Sequence, residues 1–335
     1  MPVLLPTTVV GSYSVPEWLE RLKNDYYQRR ISGDYLREIH EVAIKAAIKD
    51  QERAGVDIVS DGELRRDNDL DYLLARIPGI EISQSMKQSY FDYFDARVVH
   101  PLPDAGSLPL GLTDDFEFTR EQTDRPVKFS FTGPYSLSRR LHDDVYADHR
   151  DLVLAIAQCL NGEAQRLAAT GAQLLQMDEP FLAGYPGDVE LAVEAVNVVT
   201  KDVPVQWALH VCYGNRYARP SWEGHYDFLF PAVLGANVDE LVLEFARKGY
   251  DDLQLFGRYD WDRRVGLGVI DVKSSRPESP EEVAERVRTG LQVVAPERLV
   301  VNPDCGLRHV PVAAARAKLH AMVDGTGIVR RELTG

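Results

Sequence analysis

The sequence has 335 residues, with 38 Lys and Arg against 52 Asp and Glu and a net charge of −14 at neutral pH. That balance is wrong for gripping a phosphate backbone, which needs clustered cations to release counterions, so no nucleic-acid partner is expected. Three cysteines, at 159, 212 and 305, cannot build a disulfide framework and point to free, metal-bound or reactive thiols in a reducing, cytoplasmic compartment.

The N-terminus, MPVLLPTTVVGSYSVPEW, has neither a basic n-region nor a small-residue cleavage site, and no apolar run reaches the ~18 residues of a membrane span. A soluble, unprocessed chain with no membrane partner is expected. Along it, short β-rich apolar runs at 8–11, 56–60, 127–131, 174–177, 205–210, 241–244, 265–270 and 299–302 predict strands. Between them, 35–54, 150–170, 189–199, 280–294 and 312–323 repeat apolar residues at helical spacing. Ser279, Pro280 and Glu282 supply an N-cap, a first-turn proline and a first-turn acid for one of these helices.

Strand and helix alternating eight times predicts an α/β fold, a (β/α)8 TIM barrel forming a single domain over 1–335, with a doubly wound open sheet as the competing architecture. Two additions to a minimal barrel are expected: an N-terminal extension at 16–34 and a long insertion after the second strand at 64–125. The aromatic run SYFDYFDARVV within the insertion predicts an ordered excursion, because disordered segments are poor in aromatics.

Barrel chemistry sits on the loops that follow the strands. Here the strands run in turn into GSYS, SDGELRRDN, TGPYS, MDEPFLAG, HVCYGN, EFAR, DVKS and NPDCG, so carboxylates, thiols, an imidazole and hydroxyls gather at one set of strand ends. Single polar residues there only mark where solvent begins. Their convergence points to a common site.

His210 and Cys212 lie at i and i+2 of extended chain and therefore on one face. Cys305 follows the eighth strand and Glu244 ends the sixth; in a closed barrel these ends are neighbours of the fifth. Imidazole and thiolates in tetrahedral arrangement select zinc, and three firm ligands with a replaceable fourth describe a catalytic ion. A structural zinc would use paired Cys knuckles, which the chain lacks; the metal-free alternative is a packed His beside a buried Cys. Two thiolate ligands lower the Lewis acidity of zinc. The site then suits holding a substrate thiol as a nucleophile, and alkyl transfer to sulfur is expected over hydrolysis.

At these residues the sequence resembles the cobalamin-independent methionine synthase family, in its catalytic barrel. The matching pieces are VVGS at 9–12, DGE at 61–63, TGP at 132–134, MDEP at 177–180, HVC at 210–212, Glu244, GVIDVKS at 268–274 and VNPDCGL at 301–307. The resemblance implies a zinc-dependent methyltransferase acting on a small-molecule thiol, in most of the family homocysteine. It implies His210, Cys212, Glu244 and Cys305 as zinc ligands, with Glu244 the one that yields to substrate. It also implies Gly11, Ser12, Glu63 and Asp178 as the substrate-binding residues, carboxylates suiting an α-ammonium and Gly-Ser suiting an α-carboxylate.

The chain departs from that pattern in three ways. It has one barrel where the long enzyme has two. Lys273 stands where the long enzyme carries a His thought to act as an acid, so Lys273 and Asp178 are the candidate catalytic residues. The segment after TGP lacks the Trp that stacks on folate, and only Arg97 stands in the folate-loop arginine region. The expected methyl donor is therefore methylcobalamin or a corrinoid protein rather than methyltetrahydrofolate.

HVCYGN is also similar to epoxyalkane:coenzyme M transferases, the alternative enzyme class. Glu63 and Asp178 favour an amino acid over a sulfonate. A zinc-storing or corrinoid-docking protein is the non-enzymatic alternative, disfavoured by the carboxylate-rich rim. Cys159 is expected to pack in its helix, His225 and His309 to lie at the surface or behind the site, and Arg65 and Arg66 to sit in a solvated turn, with an anionic donor as their other reading.

Overall fold

The structure is a computed structural model that describes residues 3–83, 92–104 and 108–335. Strands form, in chain order, at β1 (Ile80–Ile82), β2 (Ala96–Val98), β3 (Lys128–Thr132), β4 (Leu141–Asp143), β5 (Leu174–Asp178), β6 (Gln206–Val211), β7 (Glu240–Leu243), β8 (Arg264–Ile270) and β9 (Leu299–Pro303). Among the described residues, six of these make one parallel sheet in the order β3-β5-β6-β7-β8-β9, so the architecture is α/β with a parallel sheet. Its strands are buried almost throughout, as expected where both faces of a parallel sheet are covered.

The first two expected strands form no ladder of their own. Thr7 bridges Val301, Thr8 bridges Ile58, and Val59 bridges Val127, each in parallel, so that residues 7–8 and 58–59 join β9 back to the neighbourhood of β3. Beyond Thr8, side chains replace strand pairing. The Val10 carbonyl accepts from Gln176 and the Gly11 carbonyl from Ser60. From outside, Arg330 donates to the carbonyls of Leu4 and Leu5 and to Asp57, clasping both bridging segments to the C-terminal helix.

The helices follow their capping chemistry. The Gly33–Ala54 helix starts where the Ser32 hydroxyl accepts the Tyr35 N–H and stops at Gly55, whose φ of +89° an L side chain rarely adopts. Ser279 and Glu282 form the full reciprocal capping box at the start of the Pro280–Leu291 helix. The last helix, Val312–Thr334, runs past its expected end at 323. Gly325, inside this helix, allows close packing: a Cβ on it would lie 2.5 Å from the Pro280 carbonyl.

The extension at 16–34 contains the Glu17–Tyr27 helix. Within 64–125 lie the Asp71–Leu74 turn of helix, β1, β2 and the Leu112–Glu121 helix. β1 and β2 are antiparallel, and β2 pairs in parallel with β4. Parts of the expected excursion, residues 84–91 and 105–107, lie outside the described residues, including the first aromatics of its aromatic run. The insertion is anchored on the His149–Ala169 helix, where buried Glu163 accepts the N–H groups of Leu110 and Leu112 at 2.8 and 2.7 Å. Among the described residues no helix is long and apolar enough to cross a membrane.

The loop after β8 is secured from below by Lys318, a fully buried ammonium that donates to the Asp271 and Arg276 carbonyls and to Glu278 at 2.9 Å. Removing one member of a buried pair leaves the other charge uncompensated. Lys318→Met is expected to lower stability by about 3 kcal/mol in urea unfolding and to loosen the 271–278 loop in hydrogen exchange.

Candidate metal and substrate site

β6 ends in His210 and Val211 and hands directly to Cys212, while β9 hands through Asp304 to Cys305. The ligand-capable atoms of His210, Cys212 and Cys305 all lie within 4.8 Å of one another, and the two sulfurs are 3.6 Å apart. His210 Nδ1 meets the Val242 carbonyl on β7 at 3.1 Å, which requires the proton on Nδ1. Nε2 is then left as a lone-pair donor, buried and without a hydrogen-bond partner.

The electrostatics of this trio fit a cation. Hydrogen bonding to Cys212 and burial hold the Cys305 thiol well above its ordinary range, so it keeps its proton while no ion is present. Burial opposes charge on His210, but Cys305, Asp178 and the Val242 carbonyl outweigh it and raise its pKa. An orphaned imidazole nitrogen between two close thiols is the donor set of a soft or borderline ion such as zinc.

The trio opens on a cavity of about 240 Å³ whose wall includes Gly11, Ser12, Glu63 and Asp178. Asp178, at the end of β5, pairs in register with His210; its Oδ1 accepts from Gln176 at 2.7 Å. Burial raises its carboxyl to about 7, only partly offset by His210. Glu63 sits in a turn with φ +54°, its N–H donated to Asp61. Its Oε1 accepts from Ser130 at 2.7 Å and Arg66 at 3.2 Å, and its Oε2 from Arg308 at 3.3 Å. Burial would raise the Glu63 carboxyl, yet the two arginines and Ser130 prevail and hold it below its ordinary value.

Ser12 is pressed against the loop of Cys305. Its carbonyl accepts the Leu307 N–H at 2.7 Å, and a Cβ at Gly306 would fall 1.8 Å from its hydroxyl. Gly11 is equally confined, since a Cβ there would lie 2.5 Å from Glu63 Oε1.

Glu244 and Lys273 stand apart from the trio. Glu244 is fully buried, with Oε2 on Lys273 Nζ at 2.7 Å and Oε1 on Arg247 Nε at 2.9 Å, and neither Glu244 nor Lys273 lines the cavity. Burial works against the Lys273 charge, but Glu244, Cys305 and Cys212 outweigh it and raise its pKa.

Other sequence readings meet mixed outcomes. Cys159 packs in its helix as expected, its thiol on the Pro103 carbonyl. His225 is an exposed partner of Asp252, whereas His309 lines the cavity. The solvated turn expected for Arg65 and Arg66 is corrected: the insertion folds over it. Arg66 is buried, donating to Glu63 and the Ser130 carbonyl, and Arg65 pairs with Asp115 of the Leu112–Glu121 helix at 2.8 Å. Arg97 is exposed and pairs with Asp144.

Sequence reasoning missed Arg308, Tyr93, Phe181 and Trp222 on the cavity wall. Arg308 lies three residues beyond Cys305 and could have been found from that spacing. Trp222 carries no such signal; its ring meets Phe181 edge-on at 5.5 Å, and a Cβ at Gly184 would strike it.

Thiols, an imidazole and carboxylates gathered at the strand ends of a parallel sheet define a group-transfer enzyme. The family described as "Cobalamin-independent synthase, Catalytic domain" matches residues 5–327, and the chain belongs to it. It is a methyltransferase. A methionine synthase of Sulfurisphaera tokodaii is 35% identical over 98% of this chain and 94% of its own length. One of Thermococcus kodakarensis is 36% identical over 98% and 95%. A solved B12-independent methionine synthase from Shewanella sp. W3-18-1, in complex with selenomethionine, superposes with a TM-score of 0.85 at 28% identity, covering 99% of both chains.

The fit of Gly306 against Ser12 gives a test of the wall. Gly306→Ala is expected to displace the Ser12 hydroxyl and raise KM for the acceptor by about tenfold, with a smaller change in kcat, as read from initial rates.

Proposed function

We propose that the protein transfers a methyl group to the thiol of homocysteine, giving methionine. The observation that carries this reading is the His210, Cys212 and Cys305 cluster opening into the cavity lined by Ser12, Glu63 and Asp178, in a chain of this family. His210, Cys212 and Cys305 would hold zinc, with Glu244 as its exchangeable fourth ligand. When bound, zinc supplies the positive charge that keeps a thiol ionised near neutral pH.

The chain's own residues orient the acceptor. Asp178, whose carboxylate is committed only to Gln176 among the hydrogen bonds described, takes the α-ammonium. Glu63 adds negative potential, although both its oxygens already serve arginines. Gly11 and Ser12 meet the α-carboxylate. The acceptor sulfur then attacks the methyl carbon in line with the bond that breaks. Lys273, with its raised pKa, holds charge beside Glu244 and is a reluctant proton donor, which favours an electrostatic role over that of an acid.

We read the architecture as a (β/α)8 barrel, residues 7–8 and 58–59 supplying two very short strands, in one domain over 1–335 of a cytoplasmic protein. For the methyl donor two readings stand. A corrinoid or corrinoid-protein donor draws on the missing Trp in the segment after Gly133. Methyltetrahydrofolate draws on the Trp222 and Phe181 rings of the cavity wall and on the family's cobalamin-independent description. Turnover with methylcobalamin alone supports the first, and turnover with methyltetrahydrofolate overturns it. Coenzyme M with an epoxide, run in parallel, tests the alternative acceptor.

Cys305→Ser is expected to lose both zinc, measured by atomic absorption, and methionine formation; full activity in a metal-free Cys305→Ser protein would sink the proposal. A second expectation follows from Asp178. Its neutral acid, dominant below a pKa of about 7, has no attraction for an ammonium, so KM for homocysteine should rise as the pH falls from about 8 to about 6. Asp178→Asn should show a KM about tenfold higher and flat across that range, the loss expected for one charge-assisted contact of about 1.5 kcal/mol.

A further inference from the structure

Two buried side chains that take no part in the chemistry above join every segment that carries a candidate ligand. The Tyr226 hydroxyl donates to the Val211 carbonyl at 3.0 Å, one residue from Cys212, and accepts the N–H of Glu244 at 3.0 Å. Asp304, one residue before Cys305, takes the next three N–H groups of the same turn: Phe245 at 2.9 Å and Ala246 at 2.7 Å on Oδ1, and Arg247 at 2.9 Å on Oδ2. Both residues are fully buried.

Asp304 is seated with little freedom. Its own N–H donates to the Ile270 carbonyl at 2.9 Å, and β8 is bare beneath it at Gly268, where a Cβ would lie 2.2 Å from Oδ1. The ends of β6, β7 and β9 are thus tied to one another by side chain to backbone bonds, in addition to the strand ladders.

From this geometry we infer that Tyr226 and Asp304 are positioning residues, which set the spacing of Cys212, Cys305 and Glu244 before any cation arrives. The inference rests on the zinc reading above for its consequence. Its physical reason is preorganisation. The two sulfurs already stand 3.6 Å apart, and ligands held in place beforehand bind a cation without the cost of ordering them. Partners behind the ligands of a metal site typically change its affinity ten- to hundredfold.

The test uses the full chain with Tyr226→Phe, Asp304→Asn and, as a control, Glu163→Gln, which weakens a buried carboxylate that holds the Leu110 and Leu112 N–H groups and does not line the cavity. Tyr226→Phe removes both bonds of the hydroxyl. Asp304→Asn keeps an oxygen for Phe245 and Ala246 but turns an amide donor toward the Arg247 N–H. Zinc affinity by chelator competition should fall ten- to hundredfold in each of the first two. The thiolate-to-metal absorption of their cobalt forms should shift. Glu163→Gln should lower Tm and leave both readouts alone.

A metal-free arm uses phenylarsine oxide, which forms an S–As bond to each of two close thiols while its oxygen leaves as water. The parent protein should bind it more tightly than the Tyr226→Phe and Asp304→Asn variants. If the parent binds zinc and neither variant differs from it in zinc affinity, cobalt spectrum or arsenical binding, the inference is overturned. If the parent binds no zinc but the arsenical arm behaves as expected, the bracing role stands and the zinc reading falls.

Discussion

Parallel register is the constraint on which the site depends. Across β3, β5, β6 and β7 it sets Thr132 beside Asp178, Asp178 beside His210, and His210 beside Val242, in one row at the ends of four strands. Neighbouring strands are about 4.8 Å apart, so the Asp178 carboxylate, the His210 imidazole and the carbonyl that orients it arrive within reach without any loop having to search for them. A slip of one residue in any strand would turn its member of the row to the other face. Val242 contributes only its backbone, yet its carbonyl decides which imidazole nitrogen is presented to the thiols.

The three candidate-site acids near this row differ in their partners. Glu63 is neutralised by Arg66 and Arg308, Glu244 by Lys273 and Arg247, and Asp178 by no arginine or lysine hydrogen bond. The acid with the fewest partners is the one whose carboxyl burial raises to about 7, and it pairs in register with His210. On the function proposed above, an arriving ammonium has its largest gain at Asp178. The other two acids keep the surrounding cations in place.

What was legible in the sequence was chemistry carried on regular elements. His210 and Cys212 could be read because extended chain places i and i+2 on one face, and Cys305 because it follows an apolar run of strand length. Ser279 and Glu282 could be read because a capping box is local. The strands expected at 8–11 and 56–60 shrink to parallel bridges at 7–8 and 58–59, since apolar runs do not show that Gln176 and Ser60 take the Val10 and Gly11 carbonyls a ladder would use. Arg66, Trp222 and Tyr226 act through partners far along the chain. Tyr226, for instance, works on Val211 and Glu244, and no local pattern in GHYDF announces it. Arg65 and Arg66 looked solvated because the insertion that covers them lies about fifty residues on, at Asp115.

The bridge from Thr7 to Val301, clasped by Arg330, also has a meaning for biosynthesis. The first segment of the sheet cannot find its neighbour on that side until almost the whole chain has left the ribosome. Until then the segment, Val9 and Val10 within it, lacks its bridge to β9. Contacts of such sequence separation form late, and the unfinished edge they leave is adhesive in the meantime. The 7–10 segment therefore depends on protection during synthesis, although it is among the best buried once the last helix has docked.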